Sequence, residues 1–354
     1  MTDILDPADM AACRALLKGG SRTFHAASKV LPRNVSDPAI ALYAFCRLAD
    51  DAVDLGDDRA AAVARLQERL DRAYGGQPMD CAADRAFAGV VTKFSIPREV
   101  PEALLEGLAW DAEGRRYDTL PELFAYAARV AGTVGVMMSL VMGQRAPEIV
   151  ARACDLGVAM QLTNIARDVG EDARAGRLYL PLSWLREAGI DPDAWLAKPV
   201  LTREISAMVQ RLLDTADALY GRATLGIKNL PFACRPGIYA ARALYAEIGR
   251  ELERSGLDSI SRRAVVSTNR KLAVLARMLV ALETDWLPAM RLAPASQIDE
   301  TRFLIEAVAA TPLRAPERPT KVRGRPVEQR IIWVIDLFER LERRDQLQRS
   351  ASLR

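Results

Sequence analysis

The feature that most constrains the fold is an almost unbroken series of helical patterns from about Pro7 to Leu292. Apolar side chains recur at three- and four-residue spacing, and no long stretch alternates polar and apolar residues as a strand would. The 354 residues, 50% hydrophobic and 27% charged, are enough to bury a sizeable core. These observations predict an all-α fold without an internal linker.

The residue types that are scarce exclude several kinds of chemistry. His25 is the single histidine of the chain, which removes imidazole-based metal sites and serine–histidine or cysteine–histidine catalysis. No glycine-rich loop of the dinucleotide or P-loop type occurs, so no nucleotide cofactor is expected. The five cysteines stand singly, unlike those of a zinc site or a disulfide scaffold. Carboxylates remain as the main candidates for functional side chains.

Two observations bear on the location of the protein. The N-terminal segment carries acidic residues where a secretory signal has a basic patch and an apolar run, so a cytoplasmic location is expected. The most apolar segment, Val134–Met142, is far shorter than the roughly 20 residues that a membrane-spanning helix needs. We therefore predict that this segment forms a buried helix.

A first acidic motif contains Asp50, Asp51 and Asp54 and follows a segment with helical apolar spacing. On a helix, Asp50 and Asp54 share one face, roughly 6 Å apart at the base of their side chains. Apolar neighbours indicate that this helix meets the interior, where unpaired carboxylates are unfavourable. A divalent metal ion is the predicted partner.

A second acidic motif ends an apolar-rich run and places Asn164, Asp168 and Asp172 on one helical stripe. Magnesium prefers hard oxygen ligands and completes its shell with water and substrate phosphates, so two such stripes suit a bridged diphosphate. The alternative is that both motifs are solvated helix faces, because 46 acidic residues make one Asp-x-x-x-Asp expected by chance.

Arginines and glycines near these motifs also have two interpretations each. Arg47 precedes Asp50 by one helical turn and Arg167 precedes Asp168 directly, so each can neutralise phosphate or form a salt bridge with the aspartate. Gly132 and Gly135 fall three residues apart, which indicates either close helix packing or room for a long ligand.

The composition changes near the C-terminus. Prolines and basic residues after Thr311 predict a linker, and apolar residues at helical spacing from Ile331 predict a terminal amphipathic helix. We therefore divide the chain into a helical domain, residues 1–300, and a C-terminal part, residues 301–354. The terminal amphipathic helix has two interpretations. It makes peripheral contact with an anionic membrane surface, or it docks on the protein itself or on another copy.

Four ordered motifs carry a family resemblance: SRTF at Ser21–Phe24, the segment Tyr43–Asp54, YAARVAGTVG at Tyr126–Gly135 and QLTNIARDVGEDARAGRLYLP at Gln161–Pro181. Together they resemble the head-to-head prenyl synthases, the family of phytoene and squalene synthases, and are most similar to its bacterial phytoene synthases. The likeness spans roughly residues 10–290. It implies a single isoprenoid-synthase helical bundle with a central apolar cavity beneath the two acidic motifs.

The resemblance also implies functions for individual residues. Magnesium–diphosphate positions are Asp50, Asp51, Asp54, Asn164, Asp168 and Asp172. Positions that touch diphosphate are Arg22, Arg47, Arg167, Arg177, Tyr179 and Arg263. Cavity-lining positions are Phe24, Tyr43, Tyr126, Gly135, Gln161 and Tyr245, with core packing as the alternative for Phe24, Gln161 and Tyr245. Residues expected to be catalytic are Tyr43, Arg47, Asp50, Asp54, Asp168 and Asp172.

The reaction implied by the resemblance joins two geranylgeranyl diphosphates, by way of prephytoene diphosphate, to phytoene in carotenoid biosynthesis. Magnesium, with manganese as the alternative ion, and arginines draw off the diphosphate of the donor and leave an allylic cation. Tyrosine rings at Tyr43, Tyr126 or Tyr245 stabilise positive charge, and the departing diphosphate accepts the proton. No redox cofactor and no nucleic-acid partner are expected, and the sequence does not fix the oligomeric state.

Two other functions stay open on the sequence alone. A squalene or presqualene diphosphate synthase shares both acidic motifs and uses shorter farnesyl chains, against which a hydrophobic pocket discriminates only modestly. A non-catalytic helical protein at a membrane surface would instead act through its basic amphipathic tail, and its acidic stripes would be solvated.

Overall fold

The computed structural model describes residues 5–20, 30–54, 59–284 and 297–311. Within these ranges the chain is helical and has no β-strand, which confirms the predicted all-α class. The helices are α1 (Pro7–Gly20), α2 (Arg33–Asp54), α3 (Arg59–Tyr74), α4 (Ala82–Lys93), α5 (Glu99–Ala112), α6 (Leu120–Ala127), α7 (Thr133–Val141), α8 (Pro147–Arg174), α9 (Leu182–Glu187), α10 (Pro192–Ala197), α11 (Arg203–Ile227), α12 (Arg235–Arg254), α13 (Thr268–Thr284) and α14 (Arg302–Ala310). A π-helical turn, Ala128–Gly132, joins α6 to α7.

Helix α8 is the centre of the bundle. It packs most extensively against α11 and also contacts α7, α12 and the π-helical turn. One cluster of buried apolar side chains joins its N-terminal part to α1–α5, α7 and α14. A second cluster joins its C-terminal part to α6 and α9–α12. Among the described helices, α8 contacts the largest number of other elements. The second acidic motif therefore lies on the most firmly held helix of the bundle.

The end of α8 determines where the following segment lies. Helix α8 ends at Arg174, and Gly176, two residues later, adopts a φ of +76° that prevents the helix from continuing. The chain then turns back, and the Arg177 N–H donates a hydrogen bond to the Asp172 carbonyl oxygen at 2.8 Å. This turn brings Arg177 beside the end of the acidic stripe on α8.

Close approach of the α6–α7 segment to α8 requires glycine at two positions. A Cβ at Gly135 would lie 2.9 Å from the carbonyl carbon of Ala153, and one at Gly157 would lie 2.6 Å from that of Ala131. A Cβ at Gly132 would meet its nearest neighbours at 3.7 Å, an ordinary contact. A side chain would therefore clash with α8 at Gly135, whereas one at Gly132 would make only ordinary contacts.

The run Leu120–Val141 spans 22 residues and is, by length and composition alone, apolar enough to cross a membrane. Its most apolar stretch is 61% buried inside the bundle, and Met137 within it is fully buried. Such burial is typical of a core helix, as predicted for Val134–Met142.

Helix α14 packs on α8 and α5 and buries Leu304 completely. The described bundle therefore extends to Thr311, past the boundary expected at residue 300. The predicted basic linker after Thr311 and the predicted amphipathic helix from Ile331 lie outside the described residues. Their contact with a membrane or with the protein itself stays a prediction.

Candidate active site

A cavity of about 530 Å³ runs along α8. Its lining residues on α8 recur every three or four positions from Ile149 to Asn164, a stripe about 22 Å long at the rise of an α-helix. We call the end that contains Asp50, Asp111 and Asn164 the mouth, and the end that contains Ile149 the far end. Most of the lining between them is apolar.

The stripe on α2 brings carboxylates to the mouth. Asp50 lines the cavity with its side chain 49% exposed. Arg47 also lines the cavity and lies 3.5 Å from the Asp50 carboxylate, but its closer partner is Asp51, at 2.6 Å. Asp54 is the last residue of α2, and its side chain lies outside the described part of the structure. The salt-bridge interpretation of Arg47 therefore applies to the protein without substrate.

Two arginines hold Asp168, the central residue of the α8 stripe. The Arg167 Nε donates to Asp168 Oδ1 at 2.7 Å, and the Arg263 Nε donates to the same oxygen at 2.8 Å. Both guanidinium groups also bond to Oδ2. Burial raises the pKa of Asp168, but these hydrogen bonds outweigh burial and leave the pKa below its usual range. This carboxylate is charged and fixed in position.

Asp172, one turn further along α8, has less positive charge around it. The guanidinium of Arg177 lies 3.5 Å from its carboxylate, a longer contact than those at Asp168. Burial raises the pKa of Asp172 to about 7 in spite of Arg177, and the negative charges of Asp168 and Asp111 add to the rise. Asp172 is therefore a carboxylate that the protein's own cations do not fully neutralise.

Asp111 at the end of α5 is a mouth residue that sequence reasoning missed. It lines the cavity and accepts hydrogen bonds from the Tyr126 hydroxyl at 2.8 Å and from the Tyr179 hydroxyl at 2.7 Å. The rings of these two tyrosines stack with their centroids 5.2 Å apart. Burial raises the pKa of the Tyr126 hydroxyl well above its usual value, so it stays a hydrogen-bond donor. A lone aspartate without a helical partner gave no signal in the sequence.

The remaining predicted residues fall in two groups. Tyr43, Tyr126, Gly135, Gln161, Asn164 and Tyr245 all line the cavity. Burial raises the pKa of Tyr245, while the charge of Arg167 lowers it, so this ring lies next to the arginine that holds Asp168. Arg22 and Phe24 lie outside the described residues. The structure thus places one residue of each acidic motif, Asp50 and Asn164, in the lining of one cavity, and Asp168 and Asp172 continue the α8 stripe beyond Asn164. The catalytic functions of these residues stay predictions.

The donor set at the mouth fits magnesium that is bound together with a phosphate ligand. Among the residues described, no three carboxylate, cysteine or histidine side chains converge on a site that could hold a metal ion alone. Magnesium usually takes one or two protein carboxylates and completes its shell with waters and phosphate oxygens. Asp50, Asn164, Asp168 and Asp172 supply hard oxygen atoms of this kind, and the raised pKa of Asp172 indicates a shortage of positive charge.

Comparison with known sequences gives the same family as the motifs. The profile of the squalene/phytoene synthase family matches residues 17–270. The phytoene synthase of Rhodobacter capsulatus is 54% identical over 315 residues, which cover 88% of this chain and 93% of that protein. The phytoene synthase of Cereibacter sphaeroides is 48% identical over 349 residues, which cover 96% of this chain and 95% of that protein.

Solved structures show the same fold. A dehydrosqualene synthase superposes with a TM-score of 0.71 and 29% identity, over 78% of this chain and 97% of the other. A squalene synthase from Alicyclobacillus acidocaldarius superposes with a TM-score of 0.65 and 26% identity, over 70% and 94%. From the sequence profile, the relatives and the shared bundle together, this chain is a member of the squalene/phytoene synthase family.

Proposed function

We propose that the protein is a phytoene synthase that condenses two molecules of geranylgeranyl diphosphate. The observation that carries the proposal is the uneven cavity: carboxylates and arginines gather at its mouth, and the lining beyond them is largely apolar. Such a cavity suits a ligand with a diphosphate at one end and a long hydrocarbon chain at the other. The identities of 54% and 48% with two phytoene synthases support the same substrate and product.

The mouth residues bind and orient the diphosphate groups. Arg47, Arg167, Arg177 and Arg263 contact carboxylates of the two acidic motifs and can donate to phosphate oxygens when a substrate enters. Asp50, Asn164, Asp168 and Asp172 would hold magnesium beside them. Bound magnesium supplies positive charge that stabilises the departing diphosphate.

The reaction proceeds in two ionisations. In the first, the bond between C1 and oxygen of the donor breaks, its electron pair leaves with diphosphate, and the double bond of the second molecule attacks the allylic cation. Loss of a proton gives prephytoene diphosphate, a cyclopropyl compound that keeps its own diphosphate. A second ionisation, rearrangement and loss of a proton give phytoene, and no oxidant or reductant is consumed.

The cavity protects these cations from water. Leu42, Val134 and Leu156 are among the apolar side chains that surround the reacting carbons once the diphosphates are held at the mouth. The rings of Tyr43, Tyr126 and Tyr245 line the same space, and each can stabilise positive charge by about 0.5–2 kcal/mol. The departing diphosphate accepts the protons, because no imidazole lies among the described residues of the cavity lining.

Product analysis tests this proposal. Purified protein with geranylgeranyl diphosphate and Mg²⁺ should give phytoene and release diphosphate, and removal of the metal with a chelator should stop both. Farnesyl diphosphate, with and without NADPH, serves as the comparison for a squalene synthase. Squalene as the sole product would contradict the proposal.

A further inference from the structure

The far end of the cavity contains a charged residue among apolar ones. Arg152 of α8 lines the cavity, although its side chain is only 5% exposed. Its neighbours in the lining on α8 are Ile149 and Ala153, and those on α11 and just beyond it include Ile227 and Leu230. A buried guanidinium in such surroundings is unfavourable unless it is paired.

The chemistry at the mouth does not account for Arg152. This residue precedes Asn164 by twelve positions on the same helix, which corresponds to about 18 Å along the axis. A diphosphate held by the mouth residues does not extend that far. The part of the substrate that points toward Arg152 is the end of its hydrocarbon chain.

A buried carboxylate holds the tip of the Arg152 side chain. The Nη1 of Arg152 lies 3.1 Å from Oδ2 of Asp155, which is 1% exposed. Asp155 also accepts a hydrogen bond from the Arg222 Nε at 3.1 Å, and the Arg222 Nη2 lies 3.0 Å from its other oxygen. Because Arg222 occupies both oxygens, Asp155 keeps a partner when Arg152 is shortened.

A glycine fixes the base of the same side chain. A Cβ at Gly226 of α11 would lie 2.8 Å from the Cγ of Arg152 and closer still to its Cβ. Helix α11 therefore packs directly against the base of the Arg152 side chain and restricts its movement. With Asp155 at its tip and Gly226 at its base, the side chain is held in place at the far end.

Resting on the proposed function, we propose that Arg152 is a specificity-determining residue that limits the length of the prenyl chain. Its side chain fills space that the end of a longer chain would need. Displacing it would require the guanidinium to leave Asp155 within an apolar region, so it does not yield to the substrate. Geranylgeranyl chains fit within this limit, and geranylfarnesyl chains, one isoprene unit longer, exceed it.

Competing substrates test the proposal on the full-length protein with Mg²⁺. The ratio of kcat/KM for geranylfarnesyl diphosphate to that for geranylgeranyl diphosphate, measured by diphosphate release, should rise about tenfold in Arg152→Ala. Arg152→Met, which leaves an unbranched side chain in place, should raise the ratio by a smaller factor. Gly226→Ala adds a methyl group at a position that lines the cavity and contacts Arg152, so it should shift preference toward farnesyl diphosphate.

Leu225→Ala is the matched control, because Leu225 precedes Gly226 on α11, is 47% exposed and does not line the cavity. It should keep the wild-type ratio. If Arg152→Ala and Arg152→Met both keep the wild-type ratio while they unfold near the wild-type midpoint, the proposal is overturned. A wild-type protein that releases no diphosphate from geranylgeranyl diphosphate would contradict the proposed function instead.

Discussion

Two helices carry acidic residues at the same four-residue spacing, but the surroundings of the two stripes differ. On α8, Asp168 and Asp172 have side chains that are each only 16% exposed. On α2, Asp50 and Asp51 are 49% and 32% exposed, and the arginine that contacts them both belongs to their own helix. The same sequence pattern therefore gives one stripe held by tertiary contacts and one that remains accessible.

Contacts from outside the helix explain the difference. Gly170, between Asp168 and Asp172, lies so close to the segment after α12 that a Cβ there would be 2.6 Å from the Cα of Ile260. The same segment leads to Arg263, which donates to Asp168. We infer that the α8 stripe holds a fixed geometry before substrate arrives, whereas the α2 stripe completes the site from the open side.

Substitution of Asp168 should have the largest effect. Asp168→Asn keeps the size of the side chain but removes the charge that Arg167 and Arg263 hold in place. Loss of one carboxylate from the metal–diphosphate site should remove several kcal/mol of transition-state stabilisation, on the order of 10³-fold in kcat/KM. Diphosphate release from geranylgeranyl diphosphate measures this loss.

Glu171→Gln is the control for charge alone at this position. Glu171 lies on the same turn of α8, is 48% exposed and is 3.5 Å from the Arg263 guanidinium. Because it is exposed, its removal should change kcat/KM by no more than about fivefold. Equal losses in the two variants would show that the total charge of the mouth matters and the fixed stripe does not.

On the accessible stripe, the two neighbouring aspartates should differ from each other. Asp50 lines the cavity, whereas Asp51 does not and is the closer partner of Arg47. Asp50→Asn should lower kcat/KM by about 10²-fold, as expected for loss of a group that acts on the leaving charge. Asp51→Asn should lower it by less than about tenfold, since it breaks a partly exposed salt bridge. Comparable losses would mean that substrate draws both carboxylates into the site.

Helical periodicity made the acidic stripes predictable. Asn164, Asp168 and Asp172 share a face because their spacing matches the helix period, whatever the tertiary fold. The apolar residues before them correctly indicated a helix that enters the core. The all-α class follows from the same local signals, which do not depend on distant contacts.

Contacts between distant segments could not be predicted from the sequence. Asp111 reaches Tyr126 and Tyr179 only after α5, α6 and the segment that follows α8 pack together. Asp155 lies in an apolar run and pairs with Arg222, 67 residues later, so neither residue shows a local pattern. Such pairings depend on tertiary packing, for which one sequence carries no periodic signal.

Packing of α7 on the N-terminal half of α8, away from the acidic stripe, depends on Gly135. Gly135→Ala would push a Cβ against the backbone of Ala153 in α8 and should lower the free energy of unfolding by about 1–3 kcal/mol. Gly132→Ala should not, because its nearest contacts are ordinary and alanine favours a helix by up to about 1 kcal/mol. Denaturant unfolding of both variants measures the two free energies of unfolding. Equal destabilisation would argue against close packing at Gly135.

The smallest effect is expected for the more exposed of the two arginines on Asp168. Arg167 is 16% exposed and Arg263 is 45% exposed, although both donate to the same oxygen. Solvent screens the exposed pair, so Arg263→Gln should raise the KM for geranylgeranyl diphosphate only about two- to fivefold. Arg167→Gln should raise it more, because burial strengthens the lost interaction. A larger effect at Arg263 would mean that this arginine leaves Asp168 to bind phosphate directly, so that the α8 stripe is rearranged by substrate instead of being fixed beforehand.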